Sequence, residues 1–157
     1  MPVGFKSHLI FLWALGLCSL ILLLRFAHTG TMDSLSSSFT IEVNGRPIAN
    51  VGDGAEDPIQ AKTGSEAAVF TLKDGRLQCG DWLLGRSVTE DRSFLPKQVL
   101  WFKSNKDSDR RVRPVTASEN GGSYQLRFAN ARLIAEDGNI FADLQEGDEQ
   151  SSVTLKV

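Results

Sequence analysis

The residues that could do chemistry are few, and their types narrow the field before any fold is considered. Histidine occurs only at His8 and His28, so nothing beyond residue 28 carries an imidazole. A serine or cysteine nucleophile in a triad needs such a base to take its proton. Cys79 stands alone beyond the N-terminal 30 residues. One thiol supplies neither a zinc site nor an internal disulfide. It reads as a small buried hydrophobe, with a bridge to another chain as the alternative. Neither G-x-x-x-x-G-K-[ST] nor G-x-G-x-x-G occurs to cradle a phosphate. No metal and no cofactor are expected.

Carboxylates remain. Glycosidic hydrolysis can run on two of them, about 5–9.5 Å apart. Asp74, Asp81, Glu90, Asp91, Asp137 and Asp143 are the candidates. Asp74 and Asp137 precede glycine and read as turn residues. Asp53–Asp57 and Asp143–Glu149 are rich in oxygen ligands but lack a full calcium-loop pattern, and read as solvated acidic loops. The pair Asp81-Trp82 has the makings of a sugar platform, whereas Trp101 lies in the apolar run Val99–Phe102 and belongs in a core. From Arg86 to Lys97 the chain mixes Arg86, Glu90, Asp91, Arg92 and Lys97 with Phe94. Binding residues collect on loops held by a rigid sheet, so this stretch is the first candidate for a contact loop. The candidate ligand-binding residues are accordingly Trp82, Asp81, Arg86, Arg92 and Phe94. A second charged block, Lys103 to Arg113, carries five cations against Asp107 and Asp109. It reads as a solvated loop, with anionic sugar or lipid headgroups as the alternative.

The elements that must position these residues are strands. Residues 30–38 are a polar, serine-rich linker. Phe39-Thr-Ile-Glu-Val then alternates apolar and polar, and Asn44-Gly45 follows, a strong hairpin signal. Pro47 marks the return strand as an edge. Asp74-Gly75, Asn120-Gly121-Gly122 and Asp137-Gly138 punctuate further short strands. Gln98–Lys103 is a continuous β-prone run and the candidate for a buried central strand. Phe39-Thr-Ile-Glu-Val-Asn-Gly-Arg is echoed by Phe70-Thr-Leu-Lys-Asp-Gly-Arg, and Tyr124-Gln-Leu-Arg opens a looser copy. No segment offers three helical turns of apolar spacing. The expected fold over 39–157 is all-β, an antiparallel sandwich or small barrel, with a β-trefoil-like repeat as the alternative.

An N-terminal hydrophobic helix is expected to precede it. Leu9–Leu24 runs 16 residues without a charge, between the apolar core of a signal peptide and the roughly 20 residues of a spanning helix. Residues 1–29 therefore read as a signal peptide or a signal anchor. Either places the remainder in the secretory pathway, secreted or tethered by a single span with the C-terminal domain outside. All 19 acidic residues lie at or after Asp33, while Lys6 and Arg25 are the two of 17 basic residues that precede it. The folded part is thus acidic, which weighs against nucleic acid as a partner.

The sequence points to a non-catalytic extracellular or membrane-tethered β-module, acting by binding or as a structural surface protein. A carbohydrate- or small-ligand-binding barrel and a small carboxylate-based glycoside hydrolase are the alternatives. Expected partners are the membrane, through Leu9–Leu24 if it is retained, and a glycan or cell-surface molecule.

Overall fold

The computed structural model describes residues 30–145 and 152–157. The expected N-terminal helix lies outside them. Among the described residues, no helix is long and apolar enough to cross a membrane. Residues 31–157 form one compact unit.

Its regular structure is almost entirely strand. In chain order it contains β1 (Thr31–Met32), β2 (Thr40–Val43), β3 (Arg46–Pro47), β4 (Ile59–Gln60), β5 (Thr71–Lys73), β6 (Arg76–Cys79), β7 (Trp82–Arg86) and β8 (Lys97–Lys103). One helical turn, α1 (Ser108–Arg111), follows. Then come β9 (Val115–Asn120), β10 (Ser123–Phe128), β11 (Arg132–Glu136), β12 (Asn139–Asp143) and β13 (Val153–Lys156). All pairings are antiparallel. The sheets run β1-β9-β10, β13-β2-β3 and β11-β12-β8-β7-β6-β5, with β4 added on β8. None of these ladders closes on itself, so the small-barrel expectation gives way to open antiparallel sheets. The reason is local. Between the sheets the chain makes only isolated bridges, such as Ile48 to Thr63 and Ala49 to Ala67, rather than continuous ladders.

Turn chemistry sets the register. Asn44 and Gly45 have φ of 55° and 79°, Asp74 and Gly75 of 52° and 79°, and Asp137 and Gly138 of 52° and 80°. Two successive left-handed residues match the twist of a tight hairpin. Each pair joins the strands the sequence assigns to it, β2 to β3, β5 to β6 and β11 to β12. Pro47 sits on β3 at the end of its sheet, where a missing N–H breaks no central ladder.

The core follows from alternation. Ile41 and Val43 of β2 point inward while Thr40 and Glu42 are half-buried. On β8, Val99, Trp101 and Phe102 are buried, and the strand lies between β12 and β7, as a central strand should. Trp101 stacks on Phe70 with ring centroids 5.6 Å apart and planes 8° from parallel. The echoed segments meet directly. Phe39 and Phe70 exchange backbone hydrogen bonds of 3.0 and 2.7 Å, and their rings lie 6.3 Å apart. Each such ring removed from water stabilises the fold by about 1.5–3 kcal/mol.

The serine-rich segment is not a free stalk. Thr31 and Met32 pair with Ser118 and Ala117 of β9. Leu35 N donates to Leu72 O at 2.9 Å, and Gly75 N donates to Asp33 O at 2.8 Å. The segment therefore lies along the β5–β6 hairpin.

Candidate functional site: a loop braced by two buried cations

Strands β7 and β8 are neighbours in the largest sheet and are joined by residues 87–96. Arg86, the last residue of β7, and Lys97, the first of β8, are both buried, at 5% and 6% exposure. A buried charge is tolerated only when paired and hydrogen-bonded. Here the loop itself supplies the partners.

Arg86 grips the first half of the loop. Its Nε donates to Glu90 Oε2 at 3.0 Å and its Nη2 to Glu90 Oε1 at 2.7 Å, a bidentate fork. Its Nη1 donates to the carbonyls of Phe128 and Ala129 at 3.0 and 2.8 Å. Four of the five guanidinium donors are thereby engaged. The two carbonyls belong to the turn between β10 and β11, where Ala129 and Asn130 have positive φ. Arg86 thus ties the loop to a second turn some forty residues later in the chain.

Lys97 grips the second half. Its Nζ donates to Asp91 O at 3.0 Å and Ser93 Oγ at 3.1 Å, and it pairs with Asp91 Oδ1. Asp91 Oδ1 also accepts from Ser93 N at 3.0 Å and Ser93 Oγ at 2.6 Å. The bond from Lys97, with those from Ser93, holds the Asp91 carboxyl at about 2, well below its ordinary value. It is a fixed anion at any neutral pH.

A glycine makes room for the third brace. A Cβ at Gly85 would lie 2.6 Å from Val112 Cγ1, so a bare Cα lets the 111–113 segment approach this closely. That segment clamps the loop base. Val88 N donates to Arg111 O at 3.0 Å, Arg113 N to Arg86 O at 2.8 Å, and Arg113 Nε to Ser87 O at 3.1 Å.

Arg86 and Lys97 are turned inward, while the apolar side chains at the tip face solvent. Phe94 is 75% exposed and Leu95 70%. Arg92 is exposed between Asp91 and Ser93, and the chain bends at every residue from Arg92 to Leu95. Phe94 and Leu95 are thus presented at the exposed tip of the loop.

An internally braced loop with an exposed tip presents a fixed surface to a partner. A family model described as peptidase inhibitor I66 matches residues 67–156, more than half of the chain. The chain belongs to the peptidase inhibitor I66 family. The matched span takes in the braced loop and every strand from β5 onward. No curated protein and no solved structure matches the chain. Membership makes this a non-enzymatic β-module, and it implies a peptidase as the kind of partner.

The residues singled out in the sequence fall into two groups. Arg86, Arg92 and Phe94 share the braced loop. Asp81 and Trp82 lie at the opposite end of β7, about 13 Å away at the rise of a strand. The Trp82 ring is half-buried, and Lys103 Nζ covers it at 5.6 Å from the centroid. One face of the ring thus carries a cation–π contact. Arg86 is buried and bonded to Glu90 and two carbonyls, so in this structure it braces the loop from within.

The carboxylates are likewise engaged elsewhere. Glu90 holds Arg86, and Asp74 and Asp137 occupy turns. Asp57 accepts Arg111 Nη1 and Nη2 at 3.1 and 2.8 Å, and this guanidinium keeps its carboxyl below the usual range. Cys79 is free and half-buried, with burial pushing its thiol pKa up.

The sequence places Glu90, Asp91 and Lys97 in the contact loop but does not show them as its braces, and it does not single out Ser93 or Leu95. Two signals were present. Arg86 and Glu90 are opposite charges four apart, and Lys97 opens an apolar strand directly after Pro96.

Proposed function

We propose that this protein inhibits a peptidase by seating the 87–96 loop in the enzyme's cleft, and that it does so outside the cytoplasm. The observation that carries the reading is the pair of buried cations, Arg86 and Lys97, which hold the loop backbone while leaving its tip side chains exposed. Association normally costs about 0.5–1.5 kcal/mol for each side chain that must be ordered, plus the ordering of loop backbone. A loop whose backbone is already held avoids much of that cost. Family membership supplies the partner class.

The test replaces the tip and spares the braces. A triple variant, Arg92→Ser, Phe94→Ser and Leu95→Ser, keeps Glu90, Asp91 and Ser93. It is expected to fold as the parent does and to lose inhibition by 100-fold or more against any peptidase the parent inhibits. Undiminished inhibition would show that another surface makes the contact. Hydrogen exchange on the complex provides a second readout, with slowed amides expected across 88–96.

The location rests on Leu9–Leu24, an uncharged run of 16 residues. N-terminal sequencing of protein from its native cells tests it. A start near residue 30 supports secretion, a full-length chain in the membrane fraction supports tethering, and a full-length chain in cytosol rejects both.

A trefoil-like repeat is the finer reading of the fold. It is supported by the pairing of the Phe39 and Phe70 echoes and by the three equivalent hairpin turns. Swapping the Asn44-Gly45 and Asp74-Gly75 turns tests it. Interchangeable turns leave the melting temperature unchanged, and a marked loss in either direction counts against equivalence.

A further inference from the structure

We infer that the peptidase recognised by this loop has an apolar primary specificity pocket, and that Phe94, supported by Leu95, is the side chain that fills it. The inference rests on the loop reading above and goes further, to the chemistry of the partner.

Two residues compete for the role. Arg92 would suit a pocket with an acid at its floor, and Phe94 would suit an apolar one. Three observations favour Phe94. First, apolar surface this exposed is unusual for two adjacent large side chains. Among the described residues only the terminal Val157 is a more exposed large hydrophobic. Isolated exposed apolar residues need no explanation, but a contiguous pair at an exposed loop tip marks an interaction site. Second, Phe94-Leu95 is held at both ends. Ser93, immediately before, is fixed through both its N–H and its hydroxyl to Asp91. Pro96, immediately after, has its φ set by its ring. Third, the ordering costs differ. A phenylalanine side chain has two χ angles to fix, whereas Arg92 carries a long stem whose rotamer freedom is lost on capture. The loop's two acids, Glu90 and Asp91, pair with Arg86 and Lys97.

The partner is therefore a peptidase whose pocket is lined by hydrocarbon and wide enough for an aromatic ring. Leu95 meets the pocket's rim. Burial of a phenylalanine is worth about 100-fold in affinity.

The test uses the full-length chain, kept in solution with a mild non-ionic detergent. Its inhibition constants are measured against a chymotrypsin-type serine peptidase, whose primary pocket is apolar, and a trypsin-type one, whose pocket carries an acid. Phe94→Ala, Arg92→Ala and the triple serine variant are measured beside the parent. Because Phe94 is largely exposed, its substitution leaves melting unchanged, which circular dichroism checks. The expected result is inhibition at least 100-fold tighter for the chymotrypsin-type enzyme. Phe94→Ala loses about 100-fold and Arg92→Ala less than threefold. Tighter binding to the trypsin-type enzyme, with the loss carried by Arg92→Ala, overturns this inference and leaves the proposed function standing. A triple variant that inhibits as well as the parent overturns both. Inhibition of neither enzyme overturns the inference, as does a Phe94→Ala effect confined to self-association in sedimentation.

Discussion

Two charged connections leave β8, one from each end, and they handle their charges in opposite ways. In the 87–96 loop the cations at the base are buried and the apolar side chains at the tip are exposed. In the connection from Ser104 to Pro114 the order is reversed. There Lys106, Arg110 and Asp109 face solvent, while Arg111 lies over the Phe102 ring at 5.2 Å and reaches across to Asp57. The second connection closes with a helical turn, and Ser108 is buried within it, bonding Asn105 through N–H and hydroxyl contacts. One connection packs itself against the domain. The other is held from beneath and projects. Charge density alone does not distinguish them; the burial of the cations at the strand ends does.

The comparison can be broken first at Arg86. Arg86→Met keeps the stem but leaves the buried Glu90 with only Arg113 Nε, at 3.3 Å, and takes the donor from the carbonyls of Phe128 and Ala129. Leaving one partner of a buried ion pair unpaired costs about 3–5 kcal/mol. A urea melt should show a loss of that order with an unchanged m-value. A loss under 1 kcal/mol would mean that the guanidinium is not a structural anchor.

Lys97→Met should have a smaller and more local effect. The Asp91 carboxyl is held at about 2 against an ordinary 3.8, and its first cause is the hydrogen bond from Lys97. Without that amine the carboxyl should titrate closer to 3.8, which carbon-detected NMR of the Asp91 side chain would reveal. The native carboxylate is favoured over its protonated form, so the brace is at full strength above about pH 4 and fades as pH falls toward 2. Amide exchange across 88–96 should accelerate over that window in the parent, and at all pH values in the variant. An unshifted Asp91 would remove Lys97 from the account.

The smallest effect belongs to the second connection. Arg111 and Asp57 form a partly exposed pair, with side-chain exposures of 30% and 25%. Such pairs contribute at most about 1 kcal/mol. Arg111→Ala should lower stability by that much or less and leave inhibition unchanged. A larger loss would place the two connections on an equal footing and erase the contrast.

Much of the fold is legible in the residues. Period-two alternation marks Phe39–Val43 and the β8 run, and glycine-containing turns mark the hairpins, because those constraints act within a few residues. What escapes is the assembly of strands into sheets, since the pairing of Ile59–Gln60 with β8 or of Val153–Lys156 with β2 depends on contacts far apart in sequence. The docking of residues 31–38 escapes for the same reason, because a serine-rich composition describes solubility and not the carbonyls waiting on β5. In the site, the mixed charges and Phe94 are visible as a contact loop. The inward direction of Arg86 and Lys97 is not, because it is set by carbonyls forty residues downstream and by a turn that forms only when Asp91 meets Ser93.

The fork from Arg86 to Glu90 and Ala129 has one more consequence. Whatever holds the loop's backbone lies at its base, and the tip residues Arg92, Phe94 and Leu95 carry little of the domain's cohesion. They behave like an interchangeable bit on a fixed shank: new side chains could be fitted there to suit a different enzyme while the shank keeps its grip.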